Sequence, residues 1–498
     1  MRSPQPPQPP QHPRHHPATA PTTPRQRWTF LAVISAGLFL IGMDNSVLFT
    51  ALPQLEEQLH TTELQALWII NAYPLVLSGL LLGTGTLGDR LGHRRMFLIG
   101  MGLFVLGSLA AAFSPTAWAL IAARAVLGLA AATMMPATLA LIRVTFHDER
   151  ELSTAIGIWG SVAVVASASG PVVGGALLEH LWWGSVFLIN VPVGVAALIA
   201  TLLLAPPNTP NPRAHWDAPS SLLALLAVSG LVMSIKEAAN PHRQAWLLAA
   251  ALLVAAGAGL LFARRQRRLA VPLLDATVFR HRMFNGGVLA AAGGMFAMTG
   301  LQYMTTQRFQ VAAGYSPLQA GLVVSLAAAC AMPLAILGGA NLHRLGFRTL
   351  IAGGFGLIPA ATALAATAMH AGSLPLFLLG MALTGAGSGA VMSVSSVAII
   401  GSAPRERAGM ASGVEEVSYE FGSLLSVAVL GSLFPSLLAA FSGPEAALPT
   451  DPLAAYDHAY RVILWLIAAV AAACAAVAAW CFSGNPRTTP YGSAEAGH

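Results

Sequence analysis

Three carboxylates, Glu415, Glu416 and Glu420, stand in the stretch GVEEVSYE (413–420), flanked on both sides by Ala, Gly, Ser, Val, Leu and Met. At helical pitch Glu416 and Glu420 share one face about 6 Å apart, while Glu415 points about 100° away, toward another helix or an inner vestibule. Two like charges at that distance repel by roughly 3 kcal/mol at an effective dielectric near 20. One of the pair is therefore expected to hold a proton near neutral pH, and an arriving cation would displace it. That chemistry is exchange of a proton for a cation. Two more charges stand alone in apolar stretches: Asp44 in MDNSVLFTALP (43–53) and Arg124 in LIAARAVLGLAAA (120–132).

The elements that position these charges follow from composition. The 498 residues are 55% hydrophobic and 9% charged, with a mean hydropathy of +0.66. A soluble protein carries roughly 25% charged residues, so most of this surface is expected to face lipid. Fourteen apolar runs recur, the first at 28–50 and the last at 461–482, each long enough to cross about 30 Å of hydrocarbon. The fold class expected is an all-α integral membrane protein of fourteen transmembrane helices.

Alternate loops collect the arginines, from Arg90, Arg94 and Arg95 through Arg264, Arg265, Arg267 and Arg268 to Arg405 and Arg407. The other loops hold Arg243, Arg308 and Arg461. The Arg-rich loops are expected in the cytoplasm, and with an even span number both termini with them. The net charge of +6 then reports topology. Nucleic acid is not an expected partner, because the basic residues are scattered over loops. The three cysteines all fall in predicted spans, and no CxxC or HExxH pattern suggests a metal. A GxxxxGK[ST] loop is also missing from the sequence, so no cofactor and no ATP hydrolysis are implied and an enzyme is not expected.

Residues 1–27 and 484–498 read as disordered cytoplasmic tails. Between them GTLGDRLGHRR (85–95) repeats as GANLHRLGFR (339–348), matching Gly85 with Gly339, Arg90 with Arg344 and Gly92 with Gly346. The pair Glu149–Arg150 repeats as Glu406–Arg407. The repeat predicts a six-helix half over 28–205, two inserted helices over 218–263, and a second six-helix half over 284–482. Duplicated halves in a membrane imply a transporter that rocks about a site between them. At the same shift Glu416 matches Trp159, so the acids belong to one half only.

Depth places the charges. Asp44 lies about 9 Å and Arg124 about 10 Å below the same membrane face, so the two are expected to pair. Glu416 sits about 12 Å and Glu420 about 18 Å into its span, bracketing the midplane. Carboxylates at this depth normally face a water-filled cavity. Packing acids neutralised by basic partners are the plainer alternative, but only Arg124 offers a base near that depth. Trp68, Tyr73, Trp159, Met298, Tyr303 and Tyr419 are candidate cavity lining, since aromatic faces attract organic cations and Met adapts to varied shapes.

GTLGDRLGHRR resembles the signature loop of the major facilitator superfamily, with Gly85, Asp89, Arg90 and Gly92 at its marked positions. In that resemblance the glycines let helices approach closely and Asp89 caps a neighbouring helix. LIAARAVLGLAAA resembles the span-4 motif, with Leu127 where the family usually has Gln. ASASGPVVGG (166–175) resembles the antiporter motif of span 5, carried by Gly170, Pro171, Gly174 and Gly175. MDNSVLFTALP, WWGSVFLINVPVG (182–194), MSIKEAA (233–239) and GMASGVEEVSYEFGS (409–423) are similar to motifs of the fourteen-helix drug:proton antiporters, in particular the quaternary-ammonium and methyl-viologen exporters. The resemblance implies a monomeric, proton-coupled exporter in the bacterial inner membrane, with lipid, protons and lipophilic mono- and divalent organic cations as its partners. Quaternary ammonium compounds, viologens, cationic dyes and biocides are the cargo implied. A narrow exporter of one antibiotic or metabolite, or a proton-coupled importer, is the alternative.

Overall fold

The computed structural model describes residues 23–146, 148–212, 216–239, 244–269, 272–274, 278–402, 408–442 and 452–483. The predicted tails fall outside the described residues, except that Thr23 caps the first helix and Pro24–Arg27 already belong to it. The repeat partners Glu406 and Arg407 also lie outside them.

The chain is built from α1 (Pro24–Leu59), α2 (Glu63–Leu91), α3 (His93–Ala112), α4 (Ala117–Thr145) and α5 (Glu149–His180). Next come α6 (Ser185–Leu204), α7 (Ala218–Ala239), α8 (Ala245–Gln266) and α9 (Arg282–Gln307). The last five are α10 (Pro317–Gly339), α11 (Arg344–His370), α12 (Leu374–Gly401), α13 (Ala408–Ser442) and α14 (Pro452–Cys481). Thirteen of them carry a described stretch long and apolar enough to cross a membrane, and α5, 32 residues long, is the other long helix. Large apolar side chains on the outside, such as Leu203, Leu253 and Trp246, make a surface that water would not wet. Lipid is therefore its solvent.

Local chemistry sets the helix starts. Thr23 with Gln26, Thr62 with Gln65 and Ser316 with Gln319 form capping boxes that satisfy the first free N–H groups. Gly92 turns the chain from α2 to α3 at φ +91°, and Gly346 kinks it in the first turn of α11 at φ +76°. Both need the left-handed region that only glycine enters cheaply, and they are the matched glycines of the repeat. Span α6 is jointed: helix runs over Ser185–Leu188 and again over Asn190–Leu204.

Packing follows small residues. α1 lies on α5, and α2 and α3 on α4; α9 lies on α13 and α12, while α10 and α11 enclose α12. α7 packs on α8 and on α2, where a Cβ on Gly83 would collide with Ser221 and one on Gly79 would meet Leu225 Cα at 2.7 Å. Val232 of α7 joins Leu75 of α2 and Leu424 and Ala428 of α13 in one apolar cluster. The α7–α8 pair therefore covers the place where α2 meets α13.

The ends of the bundle differ. One end bears the arginines of the α2–α3, α8–α9 and α10–α11 connections and is here the Arg-rich end. Contacts between the α1–α6 and α9–α14 groups are tight toward the Arg-poor end. There α5 meets α10: a Cβ on Gly175 would lie 2.6 Å from the Pro317 carbonyl oxygen, and one on Gly321 would collide with the Pro171 carbonyl. Gln310 Nε2 donates to the Thr50 carbonyl at 3.0 Å, and Phe49 packs against Tyr303 with ring centroids 6.0 Å apart.

Candidate functional site

Asp44 and Arg124 are both fully buried, on α1 and α4, and Arg124 Nη1 donates to Asp44 Oδ2. The guanidinium also donates from Nε to the Ile69 carbonyl at 3.2 Å and lies 4.6 Å from the centroid of the Tyr73 ring. Close approach makes this possible: a Cβ on Gly128, one turn along α4, would meet the Tyr73 carbonyl oxygen at 2.5 Å. Tyr73 is thus the floor beneath the arginine, with its hydroxyl 3.5 Å from the Ile41 carbonyl. A cation over an aromatic face is stabilised by the ring quadrupole, most strongly where water is absent.

The other carboxylate oxygen of Asp44 is also occupied. Asn190 Nδ2, at the joint of α6, donates to Asp44 Oδ1 at 2.9 Å and to Ser108 Oγ of α3 at 3.2 Å. Sequence reasoning missed Asn190 and Ser108. The signal was present, because Asn190 is an amide in an apolar span, and a polar group at that depth needs a partner.

On α13, Glu415 and Glu420 are buried and Glu416 is half-buried. Glu415 accepts from the Tyr419 hydroxyl at 3.0 Å, and that hydroxyl also lies 3.1 Å from the Met392 carbonyl of α12. Glu415 therefore faces α12, away from the other two acids. Glu420 Oε2 is buried with no hydrogen-bond partner. The opposite charge within its Coulombic reach is Arg124. Tyr73 is within reach of the charges of Asp44, Glu420, Arg124 and Glu416 together. The structure thus brings the α1–α4 pair and two of the α13 acids to one junction, with the Tyr73 ring in it.

The aromatic and sulfur candidates divide. Tyr303 and Met298 are buried in α9, and Tyr303 packs against Gly431 of α13 and Phe49 of α1. Trp68 packs on the cluster of α2, α7 and α13. Trp159 is half-buried on α5, with its indole N–H buried and without a hydrogen-bond partner. Among the described residues no group of His, Cys, Asp and Glu is arranged to hold a metal.

Gly170, Pro171, Gly174 and Gly175 serve close packing on two sides. A Cβ on Gly170 would collide with Ser46 and one on Gly174 with Val47, both of α1, whereas Gly175 faces α10. At the Arg-rich end, Asp89 is exposed and pairs with His93 Nε2 at 3.1 Å, and Arg90 is exposed. No side chain caps the start of α3, whose N-cap position is Gly92. A Cβ on Gly85 would meet Pro136 at an ordinary 3.7 Å, whereas one on Gly92 would collide with Asn208. Asn208 laces the turn: its Nδ2 donates to the Leu91 carbonyl at 2.8 Å, and its Oδ1 accepts from Arg95 N at 3.2 Å.

Comparison with known proteins agrees with this architecture. The family model described as Major Facilitator Superfamily matches twice, over residues 34–311 and 283–497. The chain is 38% identical over 415 residues to the multidrug efflux pump LfrA of Mycolicibacterium smegmatis, covering 83% of this chain and 82% of that protein. It is 36% identical to the methyl viologen resistance protein SmvA of Salmonella typhimurium, covering 86% and 87%. Its fold resembles the crystal structure of a bacterial homologue of the human lysosomal transporter Spinster, in an inward-facing and unoccupied conformation, with a TM-score of 0.65, 16% identity, and 94% and 100% of the two chains covered. The helical bundle, the two matches of the family model and the relatives together make this chain a membrane transporter, not an enzyme, and a member of the Major Facilitator Superfamily.

Proposed function

We propose that this chain is a proton-coupled antiporter that exports lipophilic organic cations, with its Arg-rich end and both termini in the cytoplasm of a bacterial inner membrane. The 28–205 and 284–482 halves rock about the junction at Tyr73, and 218–263 is an insertion that rides on their seam. The observation that carries the reading is the buried, unpartnered Glu420 Oε2 within Coulombic reach of Arg124. A carboxylate oxygen without a donor in a dry site is costly, so a proton or a cation belongs there. Glu416 is the main site of that exchange, Glu420 extends it to a second positive charge, and Asp44 with Arg124 couples it to the proton. Trp68, Trp159, Met298, Tyr303 and Tyr419 supply apolar and aromatic contact to the cargo. The names of LfrA and SmvA agree with a cargo of drugs and viologens.

The test is efflux of matched mono- and bis-quaternary compounds from cells, with and without a protonophore. Glu420→Gln is expected to reduce dication efflux about tenfold and monocation efflux much less, since only the dication needs the second carboxylate. Equal losses would remove Glu420 from the substrate site. Efflux indifferent to the protonophore would remove the proton coupling. Transport of a single compound among many tested would favour the narrow exporter, and uptake driven by an inward proton gradient in cells would favour the importer.

A further inference from the structure

We propose that Asn190 is the positioning residue that lets Asp44 hold and release a proton inside a closed site, by turning its amide to serve either form of the acid. This rests on the reading of Asp44 as the coupling acid. Four observations carry it. Asn190 Nδ2 donates to Asp44 Oδ1 at 2.9 Å. Asn190 is fully buried, so bulk water does not reach the contact. Asn190 Oδ1 is itself buried and has no hydrogen-bond partner. The residue begins the second piece of the jointed span α6, where Ile189 separates the two helical pieces.

The chemistry follows from donor and acceptor inventories. An ionised carboxylate only accepts, so it is served by Arg124 Nη1 on one oxygen and by the amide N–H on the other. A protonated carboxyl must also donate. Arg124 has five N–H donors and no acceptor, so it can never take that hydrogen. Tyr73 presents its ring to Arg124, and its hydroxyl lies near the Ile41 carbonyl. Arg124 on α4 and Tyr73 on α2 are the other charged and titratable groups whose interaction with Asp44 is resolved. Asn190, in direct contact with Asp44, carries a buried acceptor without a partner. Turning the amide by half a rotation brings Oδ1 to Asp44 Oδ1, and the new O–H donates to it. No bond to carbon changes in this step. When the halves open and water reaches Asp44, a hydronium ion gives one proton to Asp44 Oδ1 and leaves as water, and the amide exchanges the atom it presents; release runs the same step backward. The orphaned Oδ1 is the acceptor held in reserve.

The experiment uses the full chain in everted vesicles, with a fluorescent monocationic dye and an imposed pH gradient, acid inside. Asn190→Leu keeps the volume and removes both hydrogen-bonding functions. Asn190→Ser loses volume but keeps a group that both donates and accepts. Detergent-extracted protein of each variant is checked for a single elution peak and for its Tm. Asn190→Leu is expected to lower the maximal rate of gradient-driven dye uptake about tenfold, with dye KM within about twofold, the loss of one hydrogen bond to a charged group. Asn190→Ser is expected to recover at least about a third of the wild-type rate. A packing role gives the opposite order, with Leu active and Ser impaired, and overturns the proposal. Normal rates in both variants, or equal losses in both, overturn it too. Asp44→Asn is run alongside. If that variant transports normally under the gradient, the reading of Asp44 has failed. If it is dead while Asn190→Leu is normal, only the proposal for Asn190 has failed.

Discussion

Removing one side of the Asp44–Arg124 pair leaves the other as a bare charge among apolar side chains, and that penalty sets the stability of the α1–α4 contact. Breaking a buried pair from one side costs about 3–5 kcal/mol, whereas replacing both sides by apolar groups is often close to neutral. Arg124→Leu and Asp44→Leu are each expected to lower Tm strongly, and the double variant less than the sum of the two. Melting curves of the three purified variants check this. Additive losses would mean that the pair contributes nothing as a pair. This pairing was legible in the sequence, because helix rise put the two charges at one depth. What the sequence hid was the second partner of Asp44. Asn190 is far from Asp44 along the chain, and hydrogen-bond geometry between spans carries no periodicity to read. Glu415 illustrates the reverse: the 100° offset that separates it from its neighbours came from helix pitch alone, and in the structure it turns to Tyr419 and α12.

Helices announce themselves through apolar runs, and so the spans were legible while their ends were not. α1 runs to Leu59, nine residues beyond the apolar run that ended at 50, because a helix continues past the hydrocarbon once its backbone is paired. The connections between spans were the least legible, and one of them makes a measurable contribution. Just before α7, Asp217 accepts from Arg265 at the end of α8, at 3.1 Å and 3.0 Å from Nε and 2.8 Å from Nη2. The Ser220 hydroxyl also donates to it. The hydrogen bonds from Arg265 first, and those from Ser220 after them, hold the Asp217 carboxyl below the usual range. A group depressed in the folded state stabilises it above the unfolded value, near 3.9, and that contribution disappears as pH falls through the lower folded value. The pair is partly exposed, so the effect is small. Asp217→Asn is expected to lower Tm by one or two degrees, roughly, at pH 6, and the difference is expected to shrink as pH falls through the lowered folded value of Asp217. A Tm difference that persists at low pH would mean that the carboxylate charge is not what joins α7 to α8.

At the scale of the whole molecule, the seal at the Arg-poor end is made of backbone against backbone. Gly175 accepts Pro317 and Leu318, Gly321 accepts Pro171, and Gln310 reaches across to Thr50. Among the described residues the α5–α10 part of it is glycine on backbone, and Gln310 and the Phe49–Tyr303 ring pair are the side chains that reach across beside it, so few rotamers must change for it to open. It also has a weakness, since a single added methyl group has nowhere to go. Overpacking a close contact costs typically 1–3 kcal/mol. If rocking exchanges a sealed and an unsealed state, that cost falls on the sealed state alone and shifts the ratio between them roughly 5- to 150-fold. Gly321→Val is therefore expected to hold the Arg-poor end open. A cysteine placed at Thr50, which is fully buried in the sealed arrangement, reports it after Cys330, Cys474 and Cys481 are replaced. Its labelling by a membrane-impermeant maleimide applied to the outside of cells should be slow in the Thr50→Cys background and at least about fivefold faster with Gly321→Val added. Transport should fall at the same time, because a molecule held open at one end cannot complete a transport cycle. Unchanged labelling in a variant that folds would mean that the α5–α10 contact is static packing, and that the two halves move about some other seam.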